Sequence, residues 1–383
     1  MEWRPISADS HITEPPNCYV DHIEPAWRER APRIVHKDGM GDIYIVDGMK
    51  TPVPMGLVAA AGVAPQDIRI GGAKFDDLHR SGWDPSTRIA DQDRDGVAAE
   101  IIYPTVGMLI CNHPDFDYKK ACFDAYNRWL QTYCAHAPDR LVGLGQTAMR
   151  TIKEGIADLE RIKAMGFRGV MMPGNPGEHD YDHDAYDEFW AAAVALEMPL
   201  SFHILTSSTD NSLVKPRGPK INGFLSIIRG CQDIMGMLIF SGVFARHPKL
   251  KVVCVEADAG WAPHFMYRMD HAYKRHRYWM KGQELPRLPS EYFRDNISLT
   301  FPEGALTSLL GPSGCGKTTL LKIIAGLVAP TAGEILVKGR RVTGPGPERS
   351  FVFQDFALMP WATVLRNAAF GLELRGVARS ERD

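Results

Sequence analysis

Residues 296–319 read NISLTFPEGALTSLLGPSGCGKTT, and the organisation of the whole chain turns on this stretch. Residues 311–318 fit G-x-x-x-x-G-K-[ST], a loop whose backbone N–H groups curl around phosphates. Residues 306–310 form a short apolar run that reads as a strand, and residues 318–327 (TTLLKIIAGL) have helical spacing with Gly326 near the end. A glycine-rich turn between strand and helix aims the helix N-terminus at an anion. Gly311, Ser313, Gly314, Cys315, Gly316, Lys317, Thr318 and Thr319 are therefore the expected nucleotide-binding residues. Lys317 would reach the β- and γ-phosphates, and the Thr318 hydroxyl the accompanying Mg²⁺.

Working outward, the 383 residues suit two domains, or a large barrel with an added unit. A formal net charge of −2 gives no general attraction to nucleic acid. The seven cysteines include no C-x-x-C pair, which favours reduced thiols over a disulfide framework and suggests a cytoplasmic protein. The N-terminus lacks the apolar core of a secretory signal. The longest apolar run, around residues 55–64, is too short to span a bilayer.

Upstream of residue 296, short apolar runs alternate with helical patterns. Strands are expected at 5–9, 99–103, 141–146, 169–172, 199–204, 250–256 and 296–301. Helices are expected at 89–96, 118–136, 151–165, 186–196, 224–240 and 261–279. Residues 17–80 form a Pro- and Gly-rich excursion with a hairpin at 43–50. This alternation predicts parallel βα units and a (β/α)₈ TIM barrel, with an α/β unit of phosphate-loop type behind it.

In such barrels chemistry gathers at the C-terminal ends of strands. Asp9 and His11 stand at the end of the first strand, where alternate residues face the same way and both can face one metal ion. His203 follows the fifth strand and Glu256 the sixth. His203 reads either as a ligand or as a buried, hydrogen-bonded histidine. Glu256 reads either as a general acid or base, or as a strand-end carboxylate paired with an arginine. His179 and His183 have H-x-x-x-H spacing but lie among prolines and aspartates, so a solvated loop is favoured over a second metal site. Residues 274–277 read as a solvated helix face, and His113 and His264 as packing residues. Glu14, close to the first pair, is a candidate for an outer-shell role.

Residues 1–301 resemble the amidohydrolase-related family that includes aminocarboxymuconate-semialdehyde decarboxylase and aromatic acid decarboxylases. The stretches carrying the resemblance are ADSHITEP, RIADQDRDGVAAEIIYPT, AYNRWL, RLVGLGQTAMR, GFRGVMMPGNPG, PLSFHI, HPKLKVVCVEADAGWAP and EYFRDNISLTF. The resemblance implies a divalent metal, Zn²⁺ or Mn²⁺, held by Asp9, His11 and His203. It also implies a small carboxylic acid or carbonyl substrate that is hydrolysed or decarboxylated. Two departures stand out. The family's aspartate after strand eight, in an S-D-Y-P-H-like motif, has no counterpart in this sequence. Where some decarboxylases carry a catalytic histidine after strand six, this chain has Glu256.

Residues 296–383 resemble the front of an ABC-transporter ATPase of the nitrate, sulfonate and taurine importer group. The stretch LLGPSGCGKTTLLKIIAGLVAPTAGEILVKGRRVTGPGPERSFVFQDFALMPWATVLRNAAFGLELRG carries that pattern nearly throughout. By resemblance, Gln354 is the glutamine that touches Mg²⁺ and senses a permease, and residues 358–367 lead toward the permease contact. ATP with Mg²⁺ is the implied ligand and a transporter permease the implied partner, at the inner face of the membrane. The sequence holds no LSGGQ-type signature and no Walker B acid, so ATP binding with poor hydrolysis is expected.

The expected fold is thus α/β: an incomplete TIM barrel over residues 1–301, then an ABC-type fragment over 302–383. Residues 296–301 fit both families as a shared junction strand. Only Pro302, Glu303 and Gly304 separate that strand from residues 305–310. Such a link makes a hairpin but not a parallel crossover, so residues 305–310 are not expected to serve as an eighth barrel strand. The expected function is a metal-dependent amidohydrolase-family enzyme joined to an ATP-binding fragment. The alternatives are an importer-type ATP-binding protein, or an inactive chimera of the two.

Overall fold

The computed structural model describes residues 5–58, 60, 62–207, 218–300, 317–331, 333–337, 340–346 and 363–374. The chain divides into two compact units, Met1–Ser308 and Leu309–Asp383.

The first unit is built on seven parallel strand positions in sequence order. They are β1 (Ile6–His11), β2 (Ala99–Tyr103), β3 (Leu141–Gly143, continued by Gly145–Gln146), β4 (Val170–Met172), β5 (Leu200–His203), β6 (Val252–Val255) and β7 (Ile297–Leu299). β1, β2 and the first part of β3 form one ladder, and the second part of β3 runs through β4, β5 and β6 to β7 in another. The break at Leu144 is a corner where the chain leaves β2 for β4. Leu144 N–H still donates to Ile102 O at 3.1 Å, while Gly145 N–H donates to Gly169 O at 3.3 Å. Gly143 is required here, because a Cβ at this position would lie 2.8 Å from both Cys134 Sγ and Leu130 Cδ2.

Helices cover the sheet, all but the last of those named here where the periodicity places them. The principal ones are α1 (Pro85–Asp95), α2 (Phe116–Cys134), α3 (Ile152–Ala164), α4 (Asp187–Ala195), α5 (Arg229–Phe240), α6 (Ala262–His276) and α7 (Pro289–Asn296). Their starts are chemically specified. Asp84 accepts from Ser86 and Thr87 N–H, Asp115 from Tyr118 N–H and Thr151 from Glu154 N–H, each satisfying orphan donors of a first turn. α1 ends on Gly96 in the left-handed region, φ +72°. The core between helices and sheet includes Phe123, Tyr126, Leu130, Trp190, Phe202 and Leu238, all essentially inaccessible to solvent. The six described cysteines are also buried.

Two expectations need correction. The excursion carries a three-stranded antiparallel sheet, Arg33–Lys37, Gly41–Ile45 and Val53–Pro54. Its first turn uses Asp38 and Gly39, with φ +76° at Gly39; the expected hairpin is the second pairing, in which Ile43 and Tyr44 face Pro54 and Val53, so it runs on to Pro54 instead of closing by residue 50. Residue 296 is not in the last strand: Asn296 ends α7, and its buried Nδ2 donates to the carbonyls of Pro248 at 3.0 Å and Leu250 at 2.9 Å. The apolar stretch Lys220–Phe240 is long and apolar enough to cross a membrane by length and composition. Here it is broken into Gly223–Ser226 and α5, and half of it is buried within the protein.

In the second unit, α8 (Lys317–Ile324) follows the phosphate-loop stretch and α9 (Val364–Leu374) lies further on, with Leu336–Val337 paired antiparallel to Arg340–Arg341. α8 ends through Gly326 at φ +76°, with Leu327 N–H returning to Lys322 O at 2.8 Å. Residues 301–316, and with them the expected strand at 305–310, lie outside the described residues.

Candidate metal centre

The strand ends of the first unit converge on four side chains. Asp9 and His11 leave β1, His203 is the last residue of β5, and Glu256 follows β6. One ligand atom from each lies within 4.8 Å of the other three. His11 Nε2 and His203 Nε2 are 3.2 Å apart. Asp9 Oδ1 is 3.5 Å from the first and 3.6 Å from the second, and Glu256 Oε2 is 3.5 Å from His203 Nε2. Among the described residues no other group of three or more such atoms converges in this way.

Local backbone features make the convergence. The β1–β2 register shifts between Ser7 and Ser10, so that Ala8 and Asp9 together oppose the single residue Ile101, a bulge that includes Asp9 itself. Glu256 adopts φ +57°, a conformation costly for a residue with a Cβ, which turns the chain sharply at the end of β6. Its backbone N–H donates to Thr300 Oγ1 at 2.8 Å, and Thr300 Oγ1 in turn donates to Asp9 Oδ2 at 3.4 Å. Thr300 at the end of β7 therefore connects β6 and β1. Tyr103 lies beneath the pair, its ring centroid 5.4 Å from that of His203, with its hydroxyl bonded to Ser201 Oγ at 3.1 Å.

Both imidazoles commit their outer nitrogen to a carbonyl. His11 Nδ1 lies 2.9 Å from Pro104 O, and His203 Nδ1 lies 3.0 Å from Ile204 O. Each Nδ1 must carry a proton to make that bond, which leaves Nε2 facing the centre. Asp9 Oδ1 is buried without a hydrogen-bond partner. Two inward Nε2 atoms and an unpartnered buried carboxylate oxygen fit a divalent cation, which would satisfy all three. Burial opposes ionisation of Asp9, but the two imidazoles beside it outweigh that and hold its carboxyl well below the usual range. Burial likewise opposes the charged form of His11, yet the Asp9 and Glu256 carboxylates raise its pKa above the ordinary histidine value.

The other sequence candidates are placed as follows. Glu14 is fully buried and accepts from the backbone N–H groups of Thr105, Val106 and Gly107. Burial pushes its pKa up, and these bonds work against that rise. His179 and His183 stack on one another at 3.8 Å on the surface and form no part of a converging group. His113 is a packing residue, with Nε2 2.7 Å from Asp47 O. His264 is exposed on α6. Lys317, Thr318 and Thr319 open α8. Gly311, Ser313, Gly314, Cys315, Gly316 and Gln354 lie outside the described residues. Sequence reasoning missed Thr300, Tyr103 and the Pro104 carbonyl. Tyr103 and Pro104 follow directly from the end of a strand read correctly, so their position was the available signal.

A parallel barrel with histidines and carboxylates gathered at its strand ends is the architecture of the metal-dependent hydrolase type of fold. The amidohydrolase family profile matches residues 22–305 and the ABC transporter profile matches residues 294–383. The chain belongs to the amidohydrolase family, and its C-terminal part carries an ABC ATP-binding segment. The fold is similar to that of an amidohydrolase from Mycobacterium avium subsp. paratuberculosis, with TM-score 0.62 and 20% identity over 79% of this chain and 83% of that one. It is also similar to 5-carboxyvanillate decarboxylase from Novosphingobium aromaticivorans, solved with manganese and 4-hydroxy-3-methoxy-5-nitrobenzoic acid, with TM-score 0.53 and 20% identity over 78% of each chain. The C-terminal part is 57% identical over 89 residues to the taurine import ATP-binding protein of Pseudomonas syringae pv. tomato, covering 23% of this chain and 34% of that protein. The chain thus spans about a third of the length of the curated relatives it matches.

Proposed function

We propose that the first unit is a metal-dependent enzyme of small carboxylic or aromatic carbonyl substrates, with Asp9, His11 and His203 holding the ion. The observation that carries this is the pair of inward-facing Nε2 atoms 3.2 Å apart beside the unpartnered Asp9 Oδ1. When bound, a Zn²⁺ or Mn²⁺ ion supplies Lewis acidity at a substrate carbonyl or carboxylate. Asp9 balances charge, and the carbonyls of Pro104 and Ile204 keep each imidazole turned inward. Glu256, whose side chain is 45% exposed, stands on the open side of the cluster and is the group placed to take or give a proton at the substrate. Hydrolysis and decarboxylation both fit this arrangement. The test is metal analysis and titration calorimetry on the purified chain. Wild type should bind one Zn²⁺ or Mn²⁺, and His203→Ala should lose it. Equal stoichiometry in both would sink the reading.

For the C-terminal part we propose ATP binding through residues 311–319, with Gln354 beside the Mg²⁺ and a transporter permease as partner. The domain boundaries proposed are 1–301 and 302–383, with 296–301 shared. Support comes from the overlap of the two family matches over residues 294–305 and from the parallel pairing of Ile297–Leu299 with β6. This reading also places the chain in the cytoplasm, at the inner face of the membrane when a permease is engaged. Lys317→Ala should abolish binding of a fluorescent ATP analogue. Tight binding that survives this change would exclude the phosphate-loop assignment.

A further inference from the structure

Glu14 lies outside the converging group, yet it holds the peptide that orients one member of it. Its Oε1 accepts from Thr105 N–H at 3.1 Å and Gly107 N–H at 3.0 Å, and its Oε2 accepts from Val106 N–H at 3.0 Å. Tyr19 OH adds a longer contact at 3.4 Å. A carboxylate with no solvent exposure is held in place by these donors. The Thr105 N–H shares one rigid peptide plane with the Pro104 carbonyl, and in a trans peptide the two point in opposite directions. Fixing the N–H on Glu14 therefore fixes the carbonyl at the other side of the plane. That carbonyl is the one 2.9 Å from His11 Nδ1. A second tie, Thr105 Oγ1 donating to Ile12 O at 2.6 Å, holds the same peptide against the chain that follows β1.

We infer that Glu14 is a positioning residue that sets the orientation of the His11 ring through the Pro104–Thr105 peptide. This rests on the metal reading of Asp9, His11 and His203 for its functional meaning, though not for its geometry. His203 provides an internal control, because its Nδ1 is bonded to Ile204 O and has no connection with Glu14.

The variants are Glu14→Met, which keeps the length and removes every acceptor, and Glu14→Gln, which keeps one oxygen and turns a donor toward the N–H groups. The first readout is the exchange rate of the His11 and His203 Nδ1 protons in the metal-free full chain, followed by NMR with labelled histidine. The Nδ1–H is present in both the Nδ1-protonated neutral ring and the imidazolium, and rates are compared between variants at several matched pH values so that a change of charge state is recognised. We expect the His11 proton to exchange at least about tenfold faster in Glu14→Met, with a smaller change in Glu14→Gln, while the His203 proton is unchanged. The second readout is Zn²⁺ affinity by calorimetry, expected to fall about 10- to 100-fold in Glu14→Met, as for other outer-shell partners of metal ligands. If Glu14→Met does not fold, Glu14→Gln carries the test. A folded variant whose His11 proton exchanges at the wild-type rate overturns the inference, as does equal acceleration at both histidines, which would signal general loosening. A wild-type chain that binds no Zn²⁺ but shows the selective acceleration keeps the role of Glu14 and removes the metal reading.

Discussion

Removing Arg88 should destabilise the first unit far more than an ordinary surface ion pair would. Arg88 reaches from α1 into the β1–β2 pair, with its side chain 11% exposed and that of its partner Glu100 14% exposed. Its Nε donates to Glu100 Oε2, and its Nη1 donates to the carbonyls of His11 at 3.0 Å and Ser81 at 3.3 Å. Glu100 keeps two other donors, Gln92 Nε2 at 2.8 Å and Ser10 Oγ at 3.2 Å. In Arg88→Met the guanidinium is lost while the carboxylate stays buried with only neutral partners. Breaking one side of a buried pair in this way costs about 3–5 kcal/mol. In the double variant Arg88→Met, Glu100→Met both charges go, and with them the desolvation each required. That protein should lose only about 1–2 kcal/mol, mainly from the bonds to His11, Ser81, Ser10 and Gln92. Urea unfolding followed by tryptophan fluorescence measures all four corners of the cycle. A cost below about 1 kcal/mol for Arg88→Met, or a double variant as unstable as the two single changes added together, would refute the argument.

Three further outcomes are expected. Hydrogen bonding by Ser86 and its neighbours, the α1 N-cap contacts, lowers the Asp84 pKa from 3.8 to about 2. A depressed carboxyl pKa contributes stability that is complete above about pH 4 and is lost as pH falls toward about 2. Asp84→Ala should therefore cost about 1–2 kcal/mol at pH 7 and flatten the stability profile across that acid window, as checked by urea melts at several pH values. Gly143→Ala should cost about 1–3 kcal/mol, since the new methyl meets Cys134 and Leu130 at 2.8 Å; a neutral result would mean that the corner at β3 relaxes freely. Adding Zn²⁺ at about 100 times its dissociation constant should stabilise the first unit by about 2.7 kcal/mol, chelation should reverse this, and Asp9→Asn should abolish it; a melting temperature indifferent to both would count against the ion site.

Much of this arrangement is visible in the sequence because it depends on local pattern. Residues 99–103 match β2 end for end, and the capped helices α2 and α3 lie within two residues of their expected limits, because apolar periodicity and caps act within one element. Asp9, His11, His203 and Glu256 are also legible, because each stands at the end of an apolar run. What stayed hidden depends on contacts between elements. The bulge at Ala8 and Asp9 is a matter of register against β2, and nothing in ISADSH announces it. Thr300 matters only because β7 ends beside Glu256 and Asp9. The helix α7 was legible in principle, since Pro289 begins it and Glu291 Oε2 accepts from Leu288 N–H at 2.9 Å, a short-range start signal. Its eight residues are too few for periodicity alone to reveal.

His11 and His203 stand 192 residues apart in the sequence. Closing a loop of that range costs more chain entropy than local pairing does, and the cost falls once the intervening βα units have packed. If the four-residue cluster closes only after the chain has crossed its folding barrier, it acts as a latch on the finished barrel. Stabilisation that is absent from the transition state leaves the folding rate nearly unchanged and slows unfolding instead. An ion held there would act on the lifetime of the folded barrel, keeping the ends of β1 and β5 together long after it had ceased to matter how they met.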